Sequence, residues 1–137
     1  MEDILNKKSG VYGMSRGVSV DFRDIENEAL AGGTHAQMAL DIYHYLTASY
    51  VAKCAVAMGE IDVLTFTAGV GEKGPISRKA ICDQLEFFGV KIDDEKNKIR
   101  GEEVEISAED SKVKVFVVPT NEELMIARGL RDVLSNP

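Results

Sequence analysis

Apolar residues recur every three or four positions between Thr34 and Met58, and this spacing predicts one long helix over residues 34–58. Gly59 follows the last apolar position, where a glycine ends a helix readily because it adopts a positive φ. The predicted inward stripe of this helix comprises Ala39, Tyr43, Leu46, Tyr50, Cys54 and Ala57.

The second half of the chain alternates between strand and helix patterns. Residues 61–67 and 112–118 are rich in β-branched and apolar side chains, which predicts two strands. Helical spacing predicts a helix over residues 76–88 and a last helix over residues 121–134. This alternation is typical of an α/β fold, here with a small, mainly parallel sheet and flanking helices.

The remaining segments have weaker patterns. Short strands are predicted over residues 90–92 and 103–106, within a charged, solvated hairpin or loop. Residues 1–33 are rich in Gly and Ser, which predicts a loop with one short helix over residues 25–30. The predicted inward residues of the last helix are Leu124, Ala127, Leu130 and Leu134.

Composition narrows the class of protein. The chain has 16 Lys and Arg against 23 Asp and Glu, a net charge of −7, which disfavours a nucleic-acid partner. The 45% hydrophobic content suits one globular domain over residues 1–137. We find no apolar stretch long enough for a membrane and no secretory leader, so we expect no membrane partner and a cytoplasmic location. Cys54 and Cys82 are expected to be buried free thiols.

The segment between the first strand and the next helix contains glycines at positions 69, 71 and 74 and predicts a turn. Backbone N–H groups at the following helix N-terminus could bind phosphates there; a tight turn without a ligand is the alternative. The Gly-x-Gly-x-x-Gly spacing also matches an NAD-binding fingerprint, with Asp93 as its acid. Glu72 and Pro75 count against that alternative, because the carboxylate repels a pyrophosphate and the proline delays the helix.

Two acidic motifs stand near predicted helix starts. In the first, Asp21 or Asp24 caps a helix and Arg23 forms a surface ion pair. Alternatively, an aspartate such as Asp21 accepts a hydrogen bond from a ribose hydroxyl while Arg23 contacts a base or a phosphate. Thr120 and Glu123 have the spacing of a capping box. Glu122 has no such duty and is either a solvated residue or a ligand of Mg²⁺.

No catalytic residue is predicted. His35 and His44 have no cysteine or acid at metal-ligand spacing, and His44 is expected at the helix surface or at an interface. Ser9, Ser15 and Ser19 lack both a nucleophile elbow and a partner histidine.

Several runs along the chain resemble, in order, the acetate kinases of the acetokinase family. These runs are residues 5–10, 21–24, 66–72, 85–89, 106–107 and 117–128. Several runs in register are far more specific than one glycine pattern. The resemblance implies a partial actin-like, ribonuclease-H-like (ASKHA) fold, with this chain as the C-terminal nucleotide-binding domain.

The resemblance also implies the ligands and their residues. ATP or ADP would bind with Mg²⁺, and the family transfers a phosphoryl group from ATP to acetate, which gives ADP and acetyl phosphate. By similarity, the nucleotide-binding residues are Asp21, Phe22, Arg23, Gly69, Val70, Gly71, Glu72 and Lys73, and the acid associated with Mg²⁺ is Glu122. Lys73 departs from the family, in which most members carry asparagine.

The family's catalytic groups and its pocket for a small carboxylic acid lie upstream, in an N-terminal half. We therefore expect the isolated chain to be inactive, and the choice between acetate and propionate stays open. Full members dimerise through this domain, so a homo-oligomer is expected. The alternative is a non-catalytic module that self-associates through an exposed sheet edge or through the helix over residues 34–58.

Overall fold

The computed structural model describes residues 2–135, which form seven α-helices and three β-strands. The helices are α1 (Glu2–Lys7), α2 (Gly10–Met14), α3 (Phe22–Leu30), α4 (Thr34–Met58), α5 (Ala68–Lys73), α6 (Pro75–Asp83) and α7 (Glu122–Ser135). The strands are β1 (Val63–Phe66), β2 (Val104–Glu105) and β3 (Lys114–Val117). Two short 3₁₀ turns cover Glu86–Phe88 and Lys96–Lys98.

The three strands form one small sheet with β3 in the centre. β1 pairs with β3 in parallel, with Val63 opposite Lys114 and Phe66 opposite Val117. β2 lies antiparallel on the other side of β3, so the sheet is mixed. Because β1 and β3 run in the same direction, the segments that follow them emerge at the same edge of the sheet, where α/β folds bind ligands.

The larger core lies between this sheet and helices α4 and α6. Its buried residues are Ala48, Phe66, Ile81, Cys82, Leu85, Val90, Ile106, Val113, Val115 and Val117. Helix α6 begins with Pro75 at its first position, where the missing N–H does no harm. The predicted helix over residues 76–88 ends earlier than expected, at Asp83, and its last part is the 3₁₀ turn before Gly89.

Helix α4 has the predicted bounds and ends at Gly59, whose φ is +91°. Its predicted stripe is right for Ala39, which is buried, and in part for Tyr43, which is half-buried. The remaining predicted inward residues are exposed, namely Leu46, Tyr50, Cys54 and Ala57, whereas His44 is buried rather than at the surface. Helix α4 is apolar on most sides, so residue spacing could not select the face that α2, α3 and α6 cover. The residues on that buried face are Ala36, Ala39, Leu40, His44, Ala48 and Ala55.

The N-terminal segment is mostly helical, so the predicted loop over residues 1–33 is wrong for most of the part that the structure describes. Helix α3 begins at Phe22, three residues before the expected start. A second core explains this, because Ile25, Ala36 and Leu40 are buried together and Val11 packs against them. Short helices of this kind depend on tertiary contacts more than on their own pattern.

Helix α7 lies where it was predicted, but none of its residues is buried. Leu124, Leu130 and Leu134 are 42%, 59% and 73% exposed, so their predicted inward packing is wrong within the described chain. The pattern identified an amphipathic helix without indicating a surface that covers it. Across residues 2–135, no helix has the length and apolar character that a membrane crossing requires.

The two cysteines are free, but only Cys82 is buried as expected. Burial raises the pKa of the Cys82 thiol to about 12, so this side chain acts as a small apolar group. Cys54 lies on the exposed side of α4, and the expectation of burial is wrong for it.

Candidate functional site

A cavity of about 320 Å³ opens between the first turn of α3 and the segment that follows β1. Six of the nine predicted ligand residues line it, whereas Gly71, Glu72 and Glu122 do not. The fold thus brings together two motifs that are far apart in the sequence. The complete lining is Asp21, Phe22, Arg23, Glu26, Gly69, Val70, Lys73 and Gly74.

The first wall is the N-terminal turn of α3, which Asp21 caps. Its Oδ1 atom accepts a hydrogen bond from the backbone N–H of Arg23 at 2.9 Å. The Arg23 guanidinium also donates Nε–H to Oδ1 at 3.1 Å and Nη2–H to Oδ2 at 2.6 Å. These bonds, chiefly those from the Arg23 side chain, lower the pKa of Asp21 to about 2. A fixed ion pair therefore stands at the mouth of the cavity, where the Arg23 side chain is 76% exposed.

Phe22 lies between the cavity and α4. Its ring packs edge-to-face on Tyr43, with the ring centroids 4.7 Å apart and the planes at 62°. Aromatic contacts of this geometry restrict the orientation of both rings. Phe22 therefore presents a fixed apolar surface to the cavity, and Val70 contributes an apolar side chain from the other wall.

The second wall is α5, and the predicted glycine turn is wrong, because residues 68–73 form a short helix. Ala68 has a φ of +58°, a strained conformation of the kind that concentrates at ligand sites. A Cβ added at Gly74 would stand 2.5 Å from the Val70 carbonyl oxygen, so packing against α5 requires glycine there. A Cβ at Gly69 would meet no atom within 4 Å, so this position leaves the cavity wall open.

The Glu72 side chain is bonded to another part of the chain. Its Oε1 atom accepts hydrogen bonds from the Thr120 backbone N–H at 2.7 Å and from the Thr120 hydroxyl at 2.9 Å. The backbone bond first, and then the hydroxyl bond, lower the pKa of Glu72. Thr120 is therefore not the cap of α7; the Asn121 side chain accepts the N–H of Leu124 instead. The contact joins α5 to the turn that carries Glu122.

Arg78 supports the backbone of this site, although no sequence motif pointed to it. It is fully buried, and its guanidinium donates to the carbonyls of Gly71 at 2.7 Å and Glu72 at 3.0 Å. It also donates to the side-chain and backbone oxygens of Asn97 and to the carbonyl of Ile99. Burial lowers the pKa of Arg78. Its place on the apolar stripe of α6, three residues before a buried isoleucine, was the available signal.

Glu122 is exposed in the first turn of α7. Among residues 2–135, no three or more His, Cys, Asp or Glu side chains are grouped so that they could hold a metal ion. Mg²⁺ is commonly held by one or two carboxylates together with substrate phosphates and water. A single carboxylate such as Glu122 therefore suits a Mg²⁺ ion that nucleotide phosphates and water also coordinate.

The acid that the NAD-binding alternative requires, Asp93, has a different role. The Asp93 carboxylate accepts the backbone N–H groups of Glu95 and Lys96, both at 2.9 Å, and so caps the next 3₁₀ turn. Asp93 is not part of the cavity lining. Asp93 therefore does not occupy the place of the ribose-binding acid of dinucleotide folds.

Comparison with known proteins agrees with the motifs. The profile of the acetokinase family matches residues 1–128. The acetate kinase of Thermotoga petrophila is 57% identical over 136 residues, which are 98% of this chain and 34% of that protein. The crystal structure of Porphyromonas gingivalis acetate kinase is 46% identical, with a TM-score of 0.88, and the match covers 97% of this chain and 33% of that one. A propionate kinase from Francisella tularensis is 36% identical, with a TM-score of 0.83, over 92% of this chain and 32% of that one.

The chain spans about a third of the length of these relatives. The structural match confirms the predicted ASKHA fold class, in the form of a small mixed sheet with flanking helices. The family profile, the sequence relatives and the solved structures all agree with the motifs, and the chain therefore belongs to the acetokinase family.

Proposed function

We propose that this chain, over residues 1–137, is the C-terminal nucleotide-binding domain of an acetate kinase and binds ATP or ADP with Mg²⁺. The observation that carries the proposal is the shared cavity of about 320 Å³, which brings residues 21–23 next to residues 69, 70 and 73. These are the positions that the family resemblance assigns to the nucleotide. The relatives named acetate kinase support the same assignment.

The lining suits the parts of a nucleotide. Phe22 and Val70 offer apolar surface for a base, and Gly69 lets it approach the backbone. Arg23 and Lys73 are exposed cations at the mouth of the cavity and attract a polyphosphate. The ionised Asp21 carboxylate can accept a hydrogen bond from a ribose hydroxyl. Gly71 and Glu72 do not line the cavity, so their proposed role is to shape the backbone of α5, which carries the residues that do.

Glu122 is the residue that would bind the Mg²⁺ of the nucleotide. The ion would neutralise phosphate charge during transfer of the phosphoryl group. The Thr120–Glu72 hydrogen bonds hold the turn before Glu122 against α5. Glu122 follows Thr120 by two residues, at the start of α7.

The reaction proposed for the whole enzyme is ATP plus acetate to ADP plus acetyl phosphate. Propionate is the alternative acceptor, because one structural relative is a propionate kinase. Among the described residues, the cations that line the cavity are Arg23 and Lys73 alone. Phosphoryl transfer depends on a full set of groups that position and neutralise the phosphate. We therefore propose that the isolated chain is inactive and contains no catalytic residue.

Nucleotide binding can be tested by thermal unfolding of the chain with ADP and Mg²⁺, with NAD, and without ligand. A true ligand stabilises the folded state by about 2.7 kcal/mol at about 100 times its Kd. We expect stabilisation by ADP with Mg²⁺ and none by NAD. Stabilisation by NAD alone would contradict the proposal.

The proposed inactivity has a separate test. The chain is incubated with ATP, Mg²⁺ and either acetate or propionate, and the acyl phosphate is trapped as its hydroxamate. We expect no product above a protein-free control. Product formation would show that this chain carries the catalytic groups.

Self-association is a second proposal, and it does not exclude the first. Helix α4 exposes Tyr45, Tyr50 and Val56, which are 63%, 65% and 78% exposed. Contiguous exposed apolar side chains mark interfaces between protein chains, and Tyr45 and Val56 lie on the same side of α4, about three turns apart. We expect a dimer in sedimentation velocity, and a monomer after Tyr45→Glu. A wild-type monomer at all concentrations would contradict it.

A further inference from the structure

Glu26 lines the cavity, although no motif of the sequence singled it out. It lies on α3, one turn after Phe22, and is half-buried. Its Oε1 atom accepts a hydrogen bond from the Ser77 hydroxyl at 3.1 Å. Glu26 also borders a smaller cavity of about 110 Å³, which His44 lines as well. The carboxylate therefore lies toward the interior of the protein, away from the exposed mouth.

Ser77 forms a second hydrogen bond, a buried one with His44. Its hydroxyl oxygen lies 3.0 Å from Nε2 of His44, and both residues are buried, at 1% and 4% exposure. Burial lowers the pKa of His44, so its ring is neutral at pH 7. Because the Ser77 hydroxyl donates to Glu26, its oxygen accepts from His44, which assigns the ring proton to Nε2. A buried chain of hydrogen bonds from His44 through Ser77 thus holds the Glu26 carboxylate.

One oxygen of this carboxylate remains available. Within residues 2–135 the only hydrogen bond to the Glu26 carboxylate is the one at Oε1. No buried side-chain oxygen in the described chain lacks a partner, so Oε2 is accessible from a cavity or from solvent. An ionised carboxylate is a strong acceptor and donates no hydrogen bond. It therefore favours a ligand group that carries protons at this place.

The charges of the cavity indicate which part of a nucleotide that group belongs to. Phosphates repel the Glu26 carboxylate and are attracted to Arg23 and Lys73, which are both exposed. The Asp21 carboxylate is already paired with Arg23 at the mouth. A nucleotide with its phosphates at the mouth directs its base toward Glu26.

We propose that Glu26 selects the base: its carboxylate accepts a hydrogen bond from the exocyclic amino group of adenine. This inference rests on the proposed nucleotide-binding function. Guanine and hypoxanthine carry an oxygen acceptor where adenine carries this amino group. That oxygen would face the carboxylate with no proton between them, and a site built around one hydrogen bond rejects such analogues strongly.

The test measures the affinities of ADP and IDP for the whole chain by calorimetry, with Mg²⁺ present. We expect the wild-type chain to bind ADP at least about tenfold more tightly than IDP. In Glu26→Gln, the amide can donate to the hypoxanthine oxygen, so the ratio of the two affinities should fall toward one. Glu28→Gln removes the same charge from an exposed position on the same helix and should keep the wild-type ratio.

A second variant tests the support behind the carboxylate. Ser77→Ala leaves Glu26 in place without its hydrogen bond, and we expect a ratio between those of the wild type and Glu26→Gln. Because Ser77 does not line the larger cavity, a change in the ratio would come from the orientation of Glu26. An unchanged ratio in a folded Ser77→Ala protein would contradict this positioning role.

The remaining outcomes separate the inference from the proposed function. Equal binding of ADP and IDP by the wild type, or an unchanged ratio in Glu26→Gln, would overturn the inference while nucleotide binding stands. A Glu26→Gln change in the preference for ADP over 2′-deoxy-ADP, with the IDP ratio unchanged, would assign the carboxylate to the ribose and overturn it too. Failure of the wild type to bind any of these nucleotides would refute the proposed function itself.

Discussion

The two sides of helix α5 are held in different ways. On the inner side, the carbonyls of Gly71 and Glu72 accept hydrogen bonds from the buried Arg78 at 2.7 and 3.0 Å. The Glu72 carboxylate accepts two more from Thr120. On the cavity side, apart from the adjacent residues and the backbone of α5 itself, no atom lies within 4 Å of the place where a Cβ of Gly69 would stand.

This difference shows how the chain builds a binding surface. Buried hydrogen bonds hold the backbone of the site, and breaking them leaves polar groups without partners in the interior. At the mouth of the cavity, Arg23 is held by an exposed ion pair with Asp21, and such pairs add little to stability. Folding stability and ligand affinity should therefore respond to different substitutions.

Arg78→Met would remove the hydrogen bonds that hold the inner side of α5. Methionine roughly fills the space but donates nothing, so five hydrogen bonds are lost and their acceptors stay buried. We expect the free energy of unfolding to fall by more than about 3 kcal/mol, measured with urea. Arg131→Met, on the exposed helix α7, should change it by less than about 0.5 kcal/mol. If Arg78→Met also changed the free energy of unfolding by less than about 0.5 kcal/mol, the Arg78 hydrogen bonds would not stabilise the fold as proposed.

Arg23→Met addresses the cavity side. Arg23 is 76% exposed and paired with Asp21, so its loss should leave the melting temperature nearly unchanged. Loss of a cation that pairs with phosphate should weaken ADP binding about tenfold, measured by calorimetry. Arg100→Met, at an exposed residue outside the cavity, is the matched control. If Arg23→Met instead lowered the melting temperature and left the ADP affinity unchanged, Arg23 would contribute to stability and not to binding, which contradicts the comparison.

Glu72→Gln examines the link to Thr120 through its pH dependence. Hydrogen bonds from Thr120 lower the pKa of Glu72 in the folded chain. The ionised carboxylate therefore adds stability above its unfolded pKa of about 4.3, and this is lost as the pH falls through the lower folded pKa.

The wild type should therefore melt above Glu72→Gln near neutral pH, and the difference should shrink in acid, as followed by calorimetry. The exposed Glu102→Gln should leave the melting temperature unchanged at neutral pH. A difference between wild type and Glu72→Gln that stays constant with pH would show that the charge of Glu72 is not involved.

Leu130→Ala is expected to have the smallest effect, and it tests whether α7 contributes to folding stability. Leu130 is 59% exposed, so the free energy of unfolding should change by less than about 0.5 kcal/mol. The same substitution at Leu85, which is 1% exposed, should cost about 2–5 kcal/mol in urea unfolding. A comparable loss at Leu130 would show that α7 packs on the rest of the chain.

Some elements could be predicted because their signals are local. Gly59 ends α4 through its positive φ, and Pro75 begins α6 where no hydrogen bond is lost. The β-branched residues of β1 and β3 indicated strands in the same way. Each of these signals depends on the conformational preference of a residue and its near neighbours.

Helix α5 shows why a local signal can fail. Each glycine in a helix costs about 1 kcal/mol relative to alanine, so two within six residues predicted a turn. Hydrogen bonds from Arg78 and Thr120 to this segment favour the helix despite that cost. The partners lie at different distances along the chain, and no pattern within the segment records them.

The amino-acid sequence alone determined the family, the bounds of α4, the order of β1, α6, β3 and α7, and most of the residues that line the cavity. Only the tertiary structure decided which face of α4 is buried, that Glu72 bonds to Thr120, and that Glu26 joins the cavity. The physical reason is that propensity acts between near neighbours, whereas burial and buried hydrogen bonds depend on residues that meet only when the chain folds.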